Sequence, residues 1–352
     1  MTGARPSVHA VVPAGIDDPA RPSGGNVYDR RVVSGLTELG WSVVEHALAG
    51  PWPDAGAASA HALRSALDDV PDGATVLVDG LVGCAAPMVV SRQARRLRIV
   101  VLMHLPLGVH ALSRRSAEGA LLGRVAGVVA TSDWTRTWLV GHYGLDPSRV
   151  AVAVPGTDVA PPVATRPAGD RFLCVGAVTP TKGHDLLLDA LAGIRDLAWD
   201  CRCVGSTEIE PAFVAAIRER AVRTGVADRL ELTGPRTGRD LAAAYDAADV
   251  LVLPSRAETY GMVVTEALAR GLPVIASRVG GVPEAVGRAV DGCVPGVLVP
   301  PGDPDALAAA LRSWLVDPAL RDRKRVAARA RRRTLPTWTQ TAAAVAAALE
   351  GR

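Results

Sequence analysis

Pro254-Ser-Arg-Ala-Glu258-Thr-Tyr-Gly261-Met-Val-Val-Thr-Glu266-Ala-Leu-Ala-Arg-Gly271-Leu-Pro-Val274 is the stretch on which the reading of this chain turns. The apolar run Asp249-Val-Leu-Val-Leu-Pro254 before it reads as a buried parallel strand that stops at a proline. Thr265 to Arg270 reads as a helix ended by Gly271, with Pro273 forbidding its continuation. One acid, Glu258, therefore sits on the loop leaving a strand, and the other, Glu266, on the first turns of the next helix. Backbone N–H groups at such a helix start lack intrahelical partners, which suits hydroxyls and phosphates of a ligand. A pair of solvated surface acids is the plain alternative for an isolated spacing of this kind.

The rest of the chain repeats the strand-to-helix theme. Strand-like runs fall at Val8–Pro13, Trp41–His46, Thr75–Asp79, Ile99–His104, Gly127–Thr131 and Val150–Val154. A second series follows at Phe172–Gly176, Asp200–Gly205, Leu230–Gly234, Val250–Pro254 and Pro273–Ser277. Repeated β-α units give a parallel sheet with helices on both faces. Two series in 352 residues predict two Rossmann-like, doubly wound α/β domains. The boundaries expected are 1–160 for the first domain, 161–169 for a proline- and glycine-rich linker, and 170–335 for the second. The tail from Thr337 is a good helix.

Bulk properties exclude several classes. A formal charge of +3 supplies no field on the scale of nucleic-acid binding, so no nucleic-acid partner is expected. No apolar run reaches the ~18 residues of a membrane span, and the N-terminus lacks the apolar stretch of a signal peptide. The five cysteines show no metal-type spacing and read as buried free thiols of a reducing, cytoplasmic protein, with no metal site. The basic run Arg321–Arg333 spreads its charge over several faces of one helix and reads as a solvated surface helix. Contact of that run, or of Arg92, Arg95, Arg96 and Arg98, with an anionic membrane surface is the lesser reading.

In doubly wound folds ligands gather at the carboxyl ends of strands. The first series places Ser23-Gly24-Gly25-Asn26, Asp79-Gly80, His104, Thr131-Ser132 and Pro155–Asp158 there. The second places Gly176–Gly183, Gly205-Ser206, Gly234–Arg236 and the two-glutamate segment there. Two such sets facing across a crevice make a natural small-molecule site. Gly24-Gly25 lets backbone approach a ligand ahead of a helix expected to begin near Val27, although an ordinary turn explains a lone Gly-Gly equally well. Lys182-Gly183, on a short loop before a helix, can put a point charge on a diphosphate, where an isolated pair is usually a surface turn. A histidine at a strand end is more often packed than reactive, and His184 reads as helix surface. The Gly-x-Gly-x-x-Gly fingerprint is absent after the first strand, which argues against a nicotinamide dehydrogenase.

Glu258 and Glu266, with Val-Leu-Pro-Ser before and Gly-Leu-Pro-Val-Ile-Ala after, resemble the Glu-x7-Glu motif of the retaining glycosyltransferases of family 4 (glycosyl transferases group 1), which have the GT-B fold. The resemblance implies two domains facing across a cleft, with the last helix, about 336–352 and near Trp338, crossing back onto the first domain. It implies that Glu258, Thr259, Tyr260, Gly261, Met262 and Val263 hold the donor sugar and its phosphates, and that Glu266 holds the nucleotide ribose. Gly24, Gly25, Gly176, Thr181 and Lys182 match donor-phosphate positions, and His104 matches a histidine that reaches the reaction centre beside Glu258 and Lys182. One departure stands out: where the family commonly has arginine after Gly176, this chain has Ala177. Lys182 then carries more of the leaving-group charge, or Thr179, Thr181 or Arg256 contributes. The implied activity is metal-independent, retaining transfer from a nucleoside-diphosphate sugar, used as co-substrate with no cofactor, to a small-molecule or lipid acceptor. The alternatives are transfer to phosphate or another non-sugar nucleophile, and a non-catalytic sugar-nucleotide-binding protein. Donor identity, acceptor and oligomeric state are not encoded in these motifs, and Trp52 reads equally as acceptor-stacking or edge-packing. Closure of the two domains predicts that a saturating nucleoside diphosphate raises hydrogen-exchange protection at 161–167 and at Gly24-Gly25. Unchanged exchange would count against closure.

Overall fold

The computed structural model describes residues 5–19, 22–164 and 166–351. Readings that touch residues 1–4, Thr165 of the linker and Arg352 of the last helix therefore lie outside the described residues. The chain divides into two compact units: Ser23–Gly156 with the segments up to Asp18 and from Pro336 onward, and Thr157–Leu335 with the short segment 19–22.

In the first unit six strands, β1 (Ser7–Pro13), β2 (Ser42–Leu48), β3 (Thr75–Asp79), β4 (Arg98–Met103), β5 (Gly127–Ala130) and β6 (Val150–Val152), form a parallel sheet of order β2-β1-β3-β4-β5-β6. In the second, β7 (Arg171–Val175), β8 (Asp200–Val204), β9 (Leu230–Leu232), β10 (Val250–Leu253), β11 (Val274–Ser277) and β12 (Gly296–Val299) give the order β12-β11-β10-β7-β8-β9, again all parallel. Helices alternate with the strands in both. This is the pair of Rossmann-like domains read from the sequence. Continuous apolar strands such as Val250-Leu-Val-Leu253 are buried on both faces, as a helix-covered parallel sheet requires.

Several boundaries differ from the sequence reading. The strand β12 was not anticipated: Gly296-Val-Leu-Val299 is four residues between prolines and carries too little periodicity to stand out. The helix after the first glutamate starts at Met262, three residues earlier than expected, because Gly261 takes the left-handed φ of 95° that launches it. Gly24 and Gly25 are not loop residues. They form the first turn of the helix Gly24–Glu38, whose N-cap Ser23 accepts from Asn26 N.

The final helix, Trp338–Glu350, opens on a capping box formed by Thr337 and Gln340. It packs along Gly24–Glu38 within the first unit, so closely at Gly35 that a Cβ there would lie 2.6 Å from Ala342 Cβ. The Trp338 ring meets Tyr28 edge-on, with centroids 6.0 Å apart.

The arginine-rich run is not a solvated surface helix. Arg321 and Arg325 are buried on the helix Pro318–Arg331 and donate to main-chain carbonyls instead of carboxylates. Arg321 binds the oxygens of Trp314 (2.7 Å), Leu315 (2.8 Å) and Pro167 (3.0 Å), and Arg325 binds that of Arg166 (2.6 Å). Arg332, just beyond, binds those of Ala160 and Ala269, both at 2.6 Å. Ala160, Arg166 and Pro167 are thereby stapled to the second unit and are not part of a free tether. A planar, five-donor guanidinium satisfies several buried carbonyls at once, which charge counting along a sequence does not reveal. Arg321→Lys should not restore what Arg321→Ala loses. Both variants should cost about 2–3 kcal/mol, read as a lowered denaturation midpoint, because buried carbonyls are left unpaired.

Candidate functional site

Where a doubly wound sheet reverses its strand order, the loops leaving the two adjacent strands part and leave a crevice. In the second unit that point lies between β7 and β10. The two loops that leave there carry the two strongest sequence signals. Lys182 Nζ donates to Glu258 Oε1 at 2.7 Å, and Ser255 Oγ donates to the same oxygen at 2.8 Å. Both bonds fall on Oε1, so Oε2 keeps its capacity to accept from a ligand hydroxyl.

Backbone contact makes this pairing available. Gly183 has a left-handed φ of 72°, and a Cβ on it would lie 2.2 Å from the Pro254 carbonyl oxygen. Only glycine lets the two loops touch there. Arg256 N donates to Thr181 O at 2.8 Å, tying the loops again. The Arg256 guanidinium is engaged by Asp185 and by Pro180 O, each at 2.6 Å, so it does not replace the cation missing at Ala177. The Lys182 stem runs over Gly176, whose imagined Cβ would sit 3.4 Å from Cδ. Thr181 is exposed at the edge of this loop.

A third loop, after β11, was missed. Gly280 and Gly281 lie under the Glu258-Thr259 backbone, where Cβ atoms would come within 1.6 Å of Glu258 O and 2.2 Å of Thr259 O. Gly281 N donates to Glu258 O at 3.2 Å. The signal was in the sequence: a Gly-Gly pair at a strand end, the same pattern weighed at Gly24-Gly25.

Glu266 lies one turn into the helix Met262–Ala269, whose first turn has no side-chain cap. Its Oε2 accepts from Tyr245 OH at 2.7 Å, a partner the sequence reading did not single out. Burial raises the Glu266 carboxyl above its ordinary range, against the Tyr245 hydrogen bond and the Arg270 charge. Met262, Val263 and Thr259 are half-buried along this edge, whereas the Tyr260 side chain is 4% exposed and withdrawn into the core.

In the first unit the order reverses between β1 and β3. There the helix Gly24–Glu38 brings Asp29, β3 ends on Asp79, and His104 follows β4. His104 Nε2 lies 2.5 Å from Asp29 Oδ1 and 3.5 Å from Asp79 Oδ2. All three side chains are buried. Asp79 Oδ1 also accepts from Val82 N at 2.9 Å. Burial and the Asp29 charge push the Asp79 carboxyl up to about 7, against the pull of His104 and Val82 N–H. For His104, burial alone would lower the pKa, but the charge and hydrogen bond of Asp29, with Asp79 behind, raise it. Gly25 lies beside the ring, its imagined Cβ 3.5 Å from His104 Cδ2. Glu118 secures the loop beyond His104 by accepting from Leu107 N (2.8 Å) and Gly108 N (2.9 Å). It too was not anticipated, because no motif marks it.

His184 is buried, not on the helix surface, with Nε2 3.8 Å from Cys174 Sγ. Cys174, His184 and Cys203 form one group of clustered donor atoms, and Asp29, Asp79 and His104 another. Asp29 Oδ1 and His104 Nε2, 2.5 Å apart, stand at hydrogen-bond distance. The neighbouring Cys203 thiol and burial push the Cys174 thiol up. Cys293 is the one exposed thiol among the described residues. No described helix is long and apolar enough to cross a membrane.

Residues 169–317 match the family described as glycosyl transferases group 1. Among curated relatives, the D-inositol 3-phosphate glycosyltransferase of Jonesia denitrificans is 33% identical over 258 residues, covering 68% of this chain and 60% of the relative. That of Nocardiopsis dassonvillei is 35% identical over 250 residues, covering 65% of this chain and 56% of the relative. The chain thus spans a little over half the length of these relatives. Among solved structures, sucrose-phosphate synthase from Thermosynechococcus elongatus superposes with a TM-score of 0.77 at 24% identity over 97% of this chain and 98% of its own. Anabaena HepE in complex with UDP and glucose superposes at 0.78 and 18% identity over 99% and 100%. Both likenesses establish the two-domain GT-B fold.

The raised Asp79 and His104 values have one sign in the stability balance. Each binds its proton more tightly folded than unfolded, so each contribution is lost as pH rises. For Asp79 the window runs from 3.8 to about 7, and for His104 it begins at 6.5. Stability should therefore fall between about pH 4 and neutrality, and Asp79→Asn should flatten that slope in denaturation midpoints measured against pH.

Proposed function

Residues 169–317 form a glycosyl transferases group 1 domain, and from that premise we propose that the chain is a metal-independent, retaining glycosyltransferase using a nucleoside-diphosphate sugar. The observation that carries this reading is the Lys182–Glu258 pair held across the β7/β10 switch point by glycine-only contacts. A lysine ammonium placed there neutralises charge on a departing diphosphate, and the same pair fixes the carboxylate that orients the sugar. On binding, Lys182 exchanges part of its bond to Glu258 for phosphate oxygen, while Ser255 keeps the carboxylate in place. Glu258 acts by positioning. The leaving phosphate takes the acceptor's proton, so no separate carboxylate base is needed. Glu266 accepts from the ribose hydroxyls, with Tyr245 holding one of its oxygens and leaving the other for the ligand.

The acceptor is a small molecule or lipid headgroup. Curated relatives carry inositol 3-phosphate in their names, which makes it the first acceptor to test. Ala177 keeps open the alternative of transfer to phosphate, because the donor-side machinery would be common to both.

A thermal-shift panel of UDP-, GDP-, ADP- and TDP-sugars tests the donor. One donor at about 100 times its Kd should stabilise the fold by about 2.7 kcal/mol. Lys182→Ala should remove most of that shift and lower turnover by about 10²–10³-fold. No shift with any nucleotide sugar would defeat the reading. With an active donor in hand, inositol 3-phosphate and inorganic phosphate as competing acceptors separate the two reactions.

A further inference from the structure

The Asp29–His104–Asp79 cluster contains more acid than the histidine reading requires. Asp29 is 2% exposed, and its second oxygen, Oδ2, is buried without a hydrogen-bond partner. Asp79 is 3% exposed and spends one oxygen on Val82 N. Among the described residues, the only ion-pair partner of either acid is His104. A buried, unbalanced carboxylate is costly, so the nearest base is drawn into its charged form. The ring has little freedom to turn: Asp29 holds Nε2, Tyr28 meets it edge-on at 5.1 Å, and Gly25 lies beside Cδ2.

We propose that Asp29 is the positioning residue for His104: its carboxylate takes the Nε2–H hydrogen bond, fixes the ring, and holds the imidazole in its charged form, with Nδ1–H as the remaining donor. The raised His104 value agrees. The titratable groups bearing on this cluster are Asp29 and Tyr28 of the helix Gly24–Glu38, Asp79 at the end of β3, and Cys84, which feels Asp79. Asp29 needs no contact with substrate in this role. A charged His104 offers a hydrogen bond to an oxygen that gains negative charge, which a neutral ring with only Nδ1 unprotonated cannot do. That last use rests on the glycosyltransferase reading; the state of the ring does not.

The test has two arms. In the intact protein with ¹⁵N-labelled histidine, the His104 signal is identified by its loss in His104→Ala. Its pH titration is then followed in wild type, Asp29→Asn and Asp79→Asn, each checked for cooperative unfolding. Wild type should keep both ring nitrogens protonated beyond the ordinary histidine midpoint, and Asp29→Asn should lower that midpoint by at least one pH unit. An unchanged midpoint in folded Asp29→Asn, or a shift from Asp79→Asn alone, overturns the proposal. In the second arm, UDP-glucose turnover or hydrolysis is measured. Asp29→Asn should lower kcat at least tenfold, shift the pH profile and leave donor KM within about twofold, but have no further effect in His104→Ala. Additive losses overturn the role through His104. An inactive wild type with the predicted titration defeats the function reading and leaves the positioning of His104 standing.

Discussion

Everything proposed for the second unit depends on one ion pair, Lys182 to Glu258, and on the room made for it. The pair joins residues 76 positions apart in the chain, and it forms because β7 and β10 are neighbours at the point where strand order reverses. Gly183 against Pro254 O, and Gly280 and Gly281 under Glu258-Thr259, bring backbone to backbone with no space for a Cβ. A charge pair at the surface is worth little by itself. Its value here is geometric, since it fixes an ammonium and a carboxylate side by side where the loops of β7 and β10 meet.

The first unit solves a different problem at its corresponding place. Between β1 and β3 it buries two carboxylates against one imidazole, and protons instead of lysines balance the charge. This makes the cluster sensitive to pH. The chain treats its other cations in a third way. Arg321, Arg325 and Arg332 donate to carbonyl oxygens that lack helix or sheet partners. Basic residues thus serve as partners of buried or surface carboxylates and as backbone staples within one chain of nearly balanced charge.

Local pattern and tertiary packing divided the work of recognition. Lys182 and Glu258 stood out because each follows a strong apolar strand and precedes a glycine-marked helix, and Glu266 because it lies on the second of those helices. Tyr245, Glu118 and Asp29 did not, because their partners lie elsewhere in the chain, and Ser255 did not, because nothing local marks its hydroxyl as turned onto Glu258. Gly280-Gly281 was legible in principle, and was passed over because the short strand β11 drew attention to the core and away from the loop beyond it.

The sequence by itself determined the two parallel sheets, since continuous apolar runs alternating with helical periods admit little else, and it placed Lys182 and Glu258 just beyond strand ends and Glu266 on the helix that follows. Tertiary structure alone decided that the arginine-rich helix is a buried staple, that His184 lies in the core, and that Gly24-Gly25 opens a helix. It alone set His104 between two carboxylates. The physical reason is common to all of these: burial and hydrogen-bond partners are properties of neighbours in space, and a charged or polar residue carries no mark in its local sequence of whether water or a carbonyl will meet it.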